Sequence, residues 1–129
     1  MKRDMDLVRL ILLKIEEEHR AGLLHDLSIG GYDNDSVAYH CQMLHEAGFL
    51  AAFTARYADN TVLFFSVGPL TWEGNEFLDR IRDDSIWSKT KRSIKDSGLP
   101  MVLEAIVKVS GAVLSSMIEG AVAAILEGN

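Results

Sequence analysis

Cysteine is nearly absent from this 129-residue sequence, which contains a single one, Cys41. One thiol cannot form an internal disulfide, as is usual for proteins of reducing compartments. The chain opens with charged residues, among them Lys2, Arg3 and Asp4, which interrupt the apolar stretch that a signal peptide requires. These two features predict a cytoplasmic protein.

Positive charge is also in short supply. Thirteen lysine and arginine side chains stand against nineteen carboxylates, which gives a formal net charge of −6 at pH 7. A chain of this charge as a whole repels nucleic acids and anionic membranes. Any site for a polyanion must therefore be a local patch of basic residues.

Motifs for catalysis, metal binding or cofactor binding are missing from the sequence. Its four histidines are scattered, and its carboxylates form no signature. Cys41 and His45 are four residues apart and would share one face of a helix, but a structural zinc site needs about four ligands. Ordinary packing is the better interpretation of these side chains. The sequence therefore predicts no enzyme, no metal site and no cofactor.

The sequence does contain enough apolar residues, 48% of the chain, to build the core of one domain. Apolar residues recur at helical spacing in five segments, while β-branched and aromatic residues flank a turn-forming stretch at residues 58–60. The predicted fold class is α+β, mainly helical. The predicted helices span Asp4–Arg20, Asp33–Ala47, Thr71–Ile81, Ser85–Ser97 and Pro100–Leu126, and the predicted strands span Leu23–Ile29, Phe49–Tyr57 and Thr61–Val67.

Two segments carry a resemblance to known proteins. The order of the predicted elements matches that of a winged helix, in which the helix before the hairpin is the one presented to DNA. The segment Val37–Leu50, VAYHCQMLHEAGFL, resembles the V-x-x-H-L-x-x-L-x-x-A-G-L-I signature of bacterial winged-helix regulators. The segment Leu70–Leu78, LTWEGNEFL, resembles the L-T-x-E-G-x-x-F-L that closes such domains.

Together with the opening Met1–Arg9, these motifs make the chain similar to the bacterial and prophage family called domain of unknown function 2513. The resemblance covers residues 1–97 and implies a small winged-helix protein of bacteria or their phages, with no established activity. We therefore assign residues 1–97 to a winged-helix-like domain whose hairpin is the wing. Residues 98–129 form an additional C-terminal helix that serves packing or oligomerisation.

A DNA-associated regulator is the first functional hypothesis, on the analogy of the fold. The predicted helix Asp33–Ala47 has three acidic residues and no lysine or arginine, so any DNA binding is expected to be weak and salt-dependent. Outward positions on this helix and near the wing are placed to read base edges, and a later helix carries a basic arc opposite its apolar arc. The candidate DNA-contacting residues are Ser36, Tyr39, Gln42, Arg56, Lys89, Lys91, Arg92 and Lys95.

A protein-interaction module without DNA binding is the second hypothesis, because Pro100–Leu126 is apolar around most of its circumference. Charged residues interrupt this segment too often for a membrane span of about 20 apolar residues. Its apolar face must be covered by the chain's own core, by an unknown protein or by a second copy, and a homodimer is predicted. The predicted interface consists of Val102, Ile106, Val109, Val113 and Met117.

Overall fold

The protein consists of five helices and one three-stranded antiparallel sheet in residues 1–128, which the structure, a computed structural model, describes. The predicted class, α+β and mainly helical, is confirmed. The helices are α1 (Met5–Glu18), α2 (Asn34–Glu46), α3 (Trp72–Ile81), α4 (Asp84–Asp96) and α5 (Leu103–Glu127), and the strands are β1 (Leu24–His25), β2 (Phe53–Ala58) and β3 (Thr61–Val67).

The chain divides into two compact units, a first unit from Met1 to Leu78 and a second unit from Asp79 onward. This division differs from the predicted boundary after residue 97. The physical reason is that α4 packs against α5, so α4 belongs with the C-terminal helix.

Helix α1 forms as its sequence predicts. The Asp4 carboxylate accepts hydrogen bonds from the backbone N–H groups of Asp6 and Leu7, which satisfies two donors at the helix N-terminus. The apolar positions on one face, Leu7, Ile11 and Ile15 among them, are completely buried. The helix is therefore held by its cap and by one apolar stripe.

A histidine of the first motif joins α2 to α1. The His40 side chain is buried, and its Nε2 lies 2.8 Å from the backbone nitrogen of Asp4. Because a backbone N–H can only donate, Nε2 is the acceptor there, and Nδ1 carries the proton that it donates to the Ser36 carbonyl at 2.7 Å. Both ring nitrogens are therefore engaged: the Nδ1 bond lies within α2, and the Nε2 bond joins α2 to the start of α1.

The end of α2 packs against the start of α3. Gly48 has a positive φ of 86°, and the N–H of Phe49 donates to the Leu44 carbonyl, which closes α2 in the predicted way. The Phe49 carbonyl then accepts from the N–H of Thr71 at 3.0 Å, and the Phe49 ring stacks on Phe77 with centroids 5.2 Å apart. The two segments that carry the family resemblance thus contact each other.

The predicted hairpin is confirmed, with the order β1-β3-β2 in the sheet. Asp59 and Asn60 form its two-residue turn, and both have positive φ values, 51° and 64°, as a type I′ turn requires. Strand β1 is shorter than predicted, because Asp26 adopts a positive φ of 49° and ends it after two residues.

The regular alternation of buried and exposed residues that a strand usually shows fails at the outer half of the hairpin. A register shift between Arg56 and Tyr57 inserts one extra residue into β3, so Leu63 and Phe64 are both exposed while Phe65 is buried. Strand β2 also begins at Phe53 rather than Phe49. The residues before it follow an irregular path that forms a single bridge between Leu50 and Leu70.

The second unit contains a helical hairpin. Asp83 caps α4, whose buried residues, Ile86, Trp87, Thr90 and Ile94, form the apolar arc of this helix. A glycine at residue 98 with φ 70° ends the helix, as predicted. Helix α5 begins at Leu103, three residues later than predicted, because Val102 is extended and its N–H donates to the Pro100 carbonyl.

The junction between α2 and α3 can be tested at Gly74, which lies in the first turn of α3. A Cβ at this position would collide with the carbonyl oxygen of Phe49. We expect Gly74→Ala to lower the free energy of unfolding by about 1–3 kcal/mol, as overpacked sites do. Urea unfolding followed by circular dichroism measures this change.

Gly30→Ala is the matched control, since a Cβ at Gly30 meets no atom within 4 Å and the residue has no positive φ. We expect it to change the free energy by less than about 0.5 kcal/mol. Equal unfolding midpoints for the two variants would contradict the proposed role of the junction.

Candidate functional site

A cleft opens between α2 and the hairpin in the first unit. Its volume is about 300 Å³, and its lining includes two of the residues predicted to read DNA, Tyr39 and Gln42. Tyr57 and Asn60 of the hairpin line it too, and neither is among the residues predicted from the sequence. The alternation of β2 had not revealed Tyr57, because the register shift beside Arg56 changes which residues face α2.

The other two residues predicted for this surface lie outside the cleft. Ser36 is half-buried, and its N–H donates to the Asp33 carboxylate at 2.7 Å. This bond holds the pKa of Asp33 below its usual range. Arg56 is exposed and pairs with Phe64 across the hairpin. The structure therefore brings together only Tyr39 and Gln42 of the four.

The charges of the first unit do not suit a phosphate backbone. Asp35 lines the cleft, and its carboxylate accepts the N–H of Val62 at 2.7 Å. No lysine or arginine is among the lining residues in the described part of the chain. The first unit has six basic and twelve acidic residues, so the whole formal charge of −6 lies on it. Phosphate contacts require cations, and no lysine or arginine of the described chain supplies one to this cleft.

The basic residues gather on α4, in the second unit, as predicted. Lys89, Arg92 and Lys95 are exposed, opposite the buried arc of the helix. Lys91 is half-buried, and its ammonium lies 5.5 Å from the centre of the Trp87 ring. Three of the four basic side chains are thus presented to solvent on one helix.

Helix α5 is apolar but barely covered. Of its 25 residues only Ile106 and Ser110 are buried. Of the predicted interface residues, Ile106 is thus enclosed within the chain's own structure. Val102, Val109 and Val113 are half-buried, and Met117 is exposed.

The second half of α5 is exposed throughout. Every residue from Ser115 to Gly128 is exposed, including the large apolar Ile118, Val122, Ile125 and Leu126. By length and composition α5 could cross a membrane, with a mean hydropathy of 1.8 and 6% of that window buried. A buried core helix of a soluble protein meets the same criterion, whereas α5 is mostly exposed. The charges along α5 are therefore the feature that distinguishes a membrane span from a protein interface.

Within residues 1–128, no three histidine, cysteine or acidic side chains come together as metal ligands. Cys41 is buried, and desolvation raises the pKa of its thiol to about 12. A thiol with this pKa is neither a nucleophile nor a ready metal ligand at neutral pH.

Comparisons with known proteins agree with the sequence motifs. A family model described as "Hypothetical protein (DUF2513)" matches residues 2–100. An "Uncharacterized protein" from Haemophilus influenzae is 39% identical over 120 residues, which cover 92% of this chain and 99% of that protein. That match therefore extends beyond residue 100 into α5. No solved structure matches the chain.

The environment of Cys41 leads to a labelling prediction. At pH 8 a thiol with a pKa near 12 is ionised about a thousand-fold less than one with the ordinary value of 9.0. We therefore expect Cys41 to resist a disulfide reagent in native buffer and to react rapidly in denaturant. Ser88→Cys, at an exposed position of α4, is the positive control. Equal native rates for the two thiols would show that Cys41 is accessible.

Proposed function

Because the chain belongs to the DUF2513 family, whose description assigns no activity, we propose from the structure that it is a self-associating protein-interaction module. In this proposal the first unit is a winged-helix-like scaffold. The second unit carries the surface through which two copies bind. The observation that carries the proposal is the exposure of the whole second half of α5.

The order of elements α1-β1-α2-β2-β3 supports a winged-helix-like scaffold, in which β2 and β3 are the wing. Only α2 lies between β1 and β2 in the described chain, so the separate extra helix of a helix-turn-helix has no counterpart. Among the described residues, the cleft beside the wing is lined by the carboxylate of Asp35 and by no lysine or arginine. A winged-helix-like unit of this kind is better suited to serve as a scaffold than to read DNA.

The apolar character of α5 supports a protein partner. Ile118, Val122 and Ile125 are about half to two thirds exposed, and they recur at the spacing of one helical face. Soluble proteins rarely leave such a face in water, and a second copy covers it most simply because two-fold pairing is the commonest form of assembly.

The charges of α5 favour a second copy over a membrane. Lys108 and Glu119 leave only ten uncharged residues between them, whereas a membrane span needs about 20. A carboxylate at the centre of a bilayer costs about 2.5–3.5 kcal/mol even on insertion scales. At a protein interface the same carboxylate can remain at the hydrated rim.

A single charged substitution in α5 tests the proposal. We expect the wild-type protein to be a dimer at tens of micromolar and Ile118→Glu to be a folded monomer, because an unpaired carboxylate would be buried in the interface. Sedimentation or light scattering gives the mass, and circular dichroism shows whether the variant folds.

Leu63→Glu is the matched control, because Leu63 on the hairpin is 64% exposed and Ile118 is 60% exposed. This variant should remain dimeric. A wild-type monomer at these concentrations, or loss of the dimer in both variants, would refute the assignment of the interface to α5.

A DNA-associated role is the second candidate, and the exposed basic face of α4 is the observation that favours it. With three phosphate contacts, the logarithm of the binding constant should fall with that of the salt concentration with a slope of about −2.7. We expect the triple variant Lys89→Glu, Arg92→Glu, Lys95→Glu to lose binding to duplex DNA of random sequence. Lys91 is left unchanged because it lies over Trp87.

The double variant Tyr39→Ala, Gln42→Ala is the comparison for the cleft, and it should bind DNA within about twofold of wild type because these residues neutralise no phosphate. Fluorescence anisotropy over a range of salt concentrations gives each constant. If the triple variant still binds DNA, or if the binding constant does not depend on the salt concentration, α4 is not the DNA-binding surface.

A further inference from the structure

The two helices of the second unit have very different lengths. Helix α4 has 13 residues and α5 has 25, or about 20 Å and about 37 Å at 1.5 Å per residue. The buried residues of α5, Ile106 and Ser110, both lie in its first third. Helix α5 is therefore buried at two positions of its first third only, and every residue of its second half is exposed.

Two opposite charges mark one side of this helix. Lys108 and Glu119 are eleven residues, or about three full turns, apart, so they lie on the same side of α5. Lys108 also contacts Glu104 at 3.1 Å, but both side chains of that pair are about three-quarters exposed. An exposed pair of this kind contributes little and can rearrange when a partner helix approaches.

The orientation of two paired α5 helices decides what these charges meet. In a parallel pair Lys108 would face Lys108 of the partner subunit, and Glu119 would face Glu119 of the partner subunit, which is repulsive. In an antiparallel pair each Lys108 faces Glu119 of the partner subunit. The register that aligns them also sets Leu103 opposite Ala124 of the partner subunit. The helices then overlap for about 33 Å, nearly their full length.

We propose that two copies associate through antiparallel α5 helices, with Lys108 of each paired to Glu119 of the partner subunit. This inference rests on the proposed self-association and specifies its geometry. The uncovered half of each α5 then lies beside the α4–α5 hairpin of the other copy. The two hairpins form a four-helix arrangement in which each supplies the cover that the other lacks.

Charge reversal tests the pairing. Lys108→Glu and Glu119→Lys should each raise the dimer dissociation constant about tenfold or more, because each replaces two attractive pairs by two repulsive ones. The double variant Lys108→Glu, Glu119→Lys restores both attractions and should bind within about threefold of wild type. Sedimentation equilibrium at low ionic strength measures the constants, since salt screens exposed charges.

Disulfide trapping tests the orientation independently, because the native Cys41 is buried. Glu104 and Val122 are eighteen residues, or five full turns, apart, so they lie on the same side of α5, and the proposed register places Glu104 within one residue of the level of Val122 of the partner subunit. The variant Glu104→Cys, Val122→Cys should therefore form cross-linked dimers under mild oxidation, whereas Val122→Cys alone should not. A parallel pair would cross-link Val122→Cys alone, which would overturn the proposal.

The outcomes separate this inference from the proposed function. If the wild-type protein is a dimer and the three charge variants have the same dissociation constant as wild type, the Lys108–Glu119 pairing is refuted. Self-association itself would then still stand. A monomer in solution would refute both. Flotation of the wild-type protein with phosphatidylcholine vesicles, together with a monomeric mass, would assign α5 to a membrane and overturn the pairing.

Discussion

The carbonyl group of Phe49 is the point on which the first unit depends. It accepts the N–H of Thr71 and faces the Cα of Gly74, so α3 starts against the end of α2. Thr71 completes the junction, because its hydroxyl donates to the Gly48 carbonyl and accepts from the N–H of Gly74. In this geometry Gly74 allows the Phe49 carbonyl to approach closely, and Thr71 caps α3. The stacked rings of Phe49 and Phe77 pack the two segments together.

The same geometry explains what the family motifs mean. The A-G-F-L end of the first motif and the L-T-W-E-G start of the second meet at this junction. The motif histidine, His40, has both ring nitrogens occupied between Asp4 and Ser36. A histidine held in this way is available neither as a base nor as a metal ligand. Several residues of the two motifs, among them His40, Phe49 and Thr71, therefore hold the first unit together.

Sequence signals that act within a few residues predict the helices of this chain, but they do not predict which residues are exposed on its surfaces. Asp4, Asp33 and Asp83 cap helices, and Gly48 and Gly98 end them, because these signals act within a few residues. The extra residue in β3 lies beyond such rules, since it depends on pairing across the hairpin. Periodicity likewise marks the apolar stripes of α5 but not what covers them. For that reason the predicted interface included Ile106, which the structure encloses within the chain.

The distribution of charge limits where two copies can meet. The first unit carries twelve acidic and six basic residues, whereas the second carries seven of each. Two first units brought face to face would repel one another over about 8 Å at physiological ionic strength. Two second units have no such net repulsion, because each carries equal numbers of acidic and basic residues. The neutral unit is also the one with an uncovered apolar helix. Charge and exposed apolar surface therefore favour the same half of the chain as the place where copies bind.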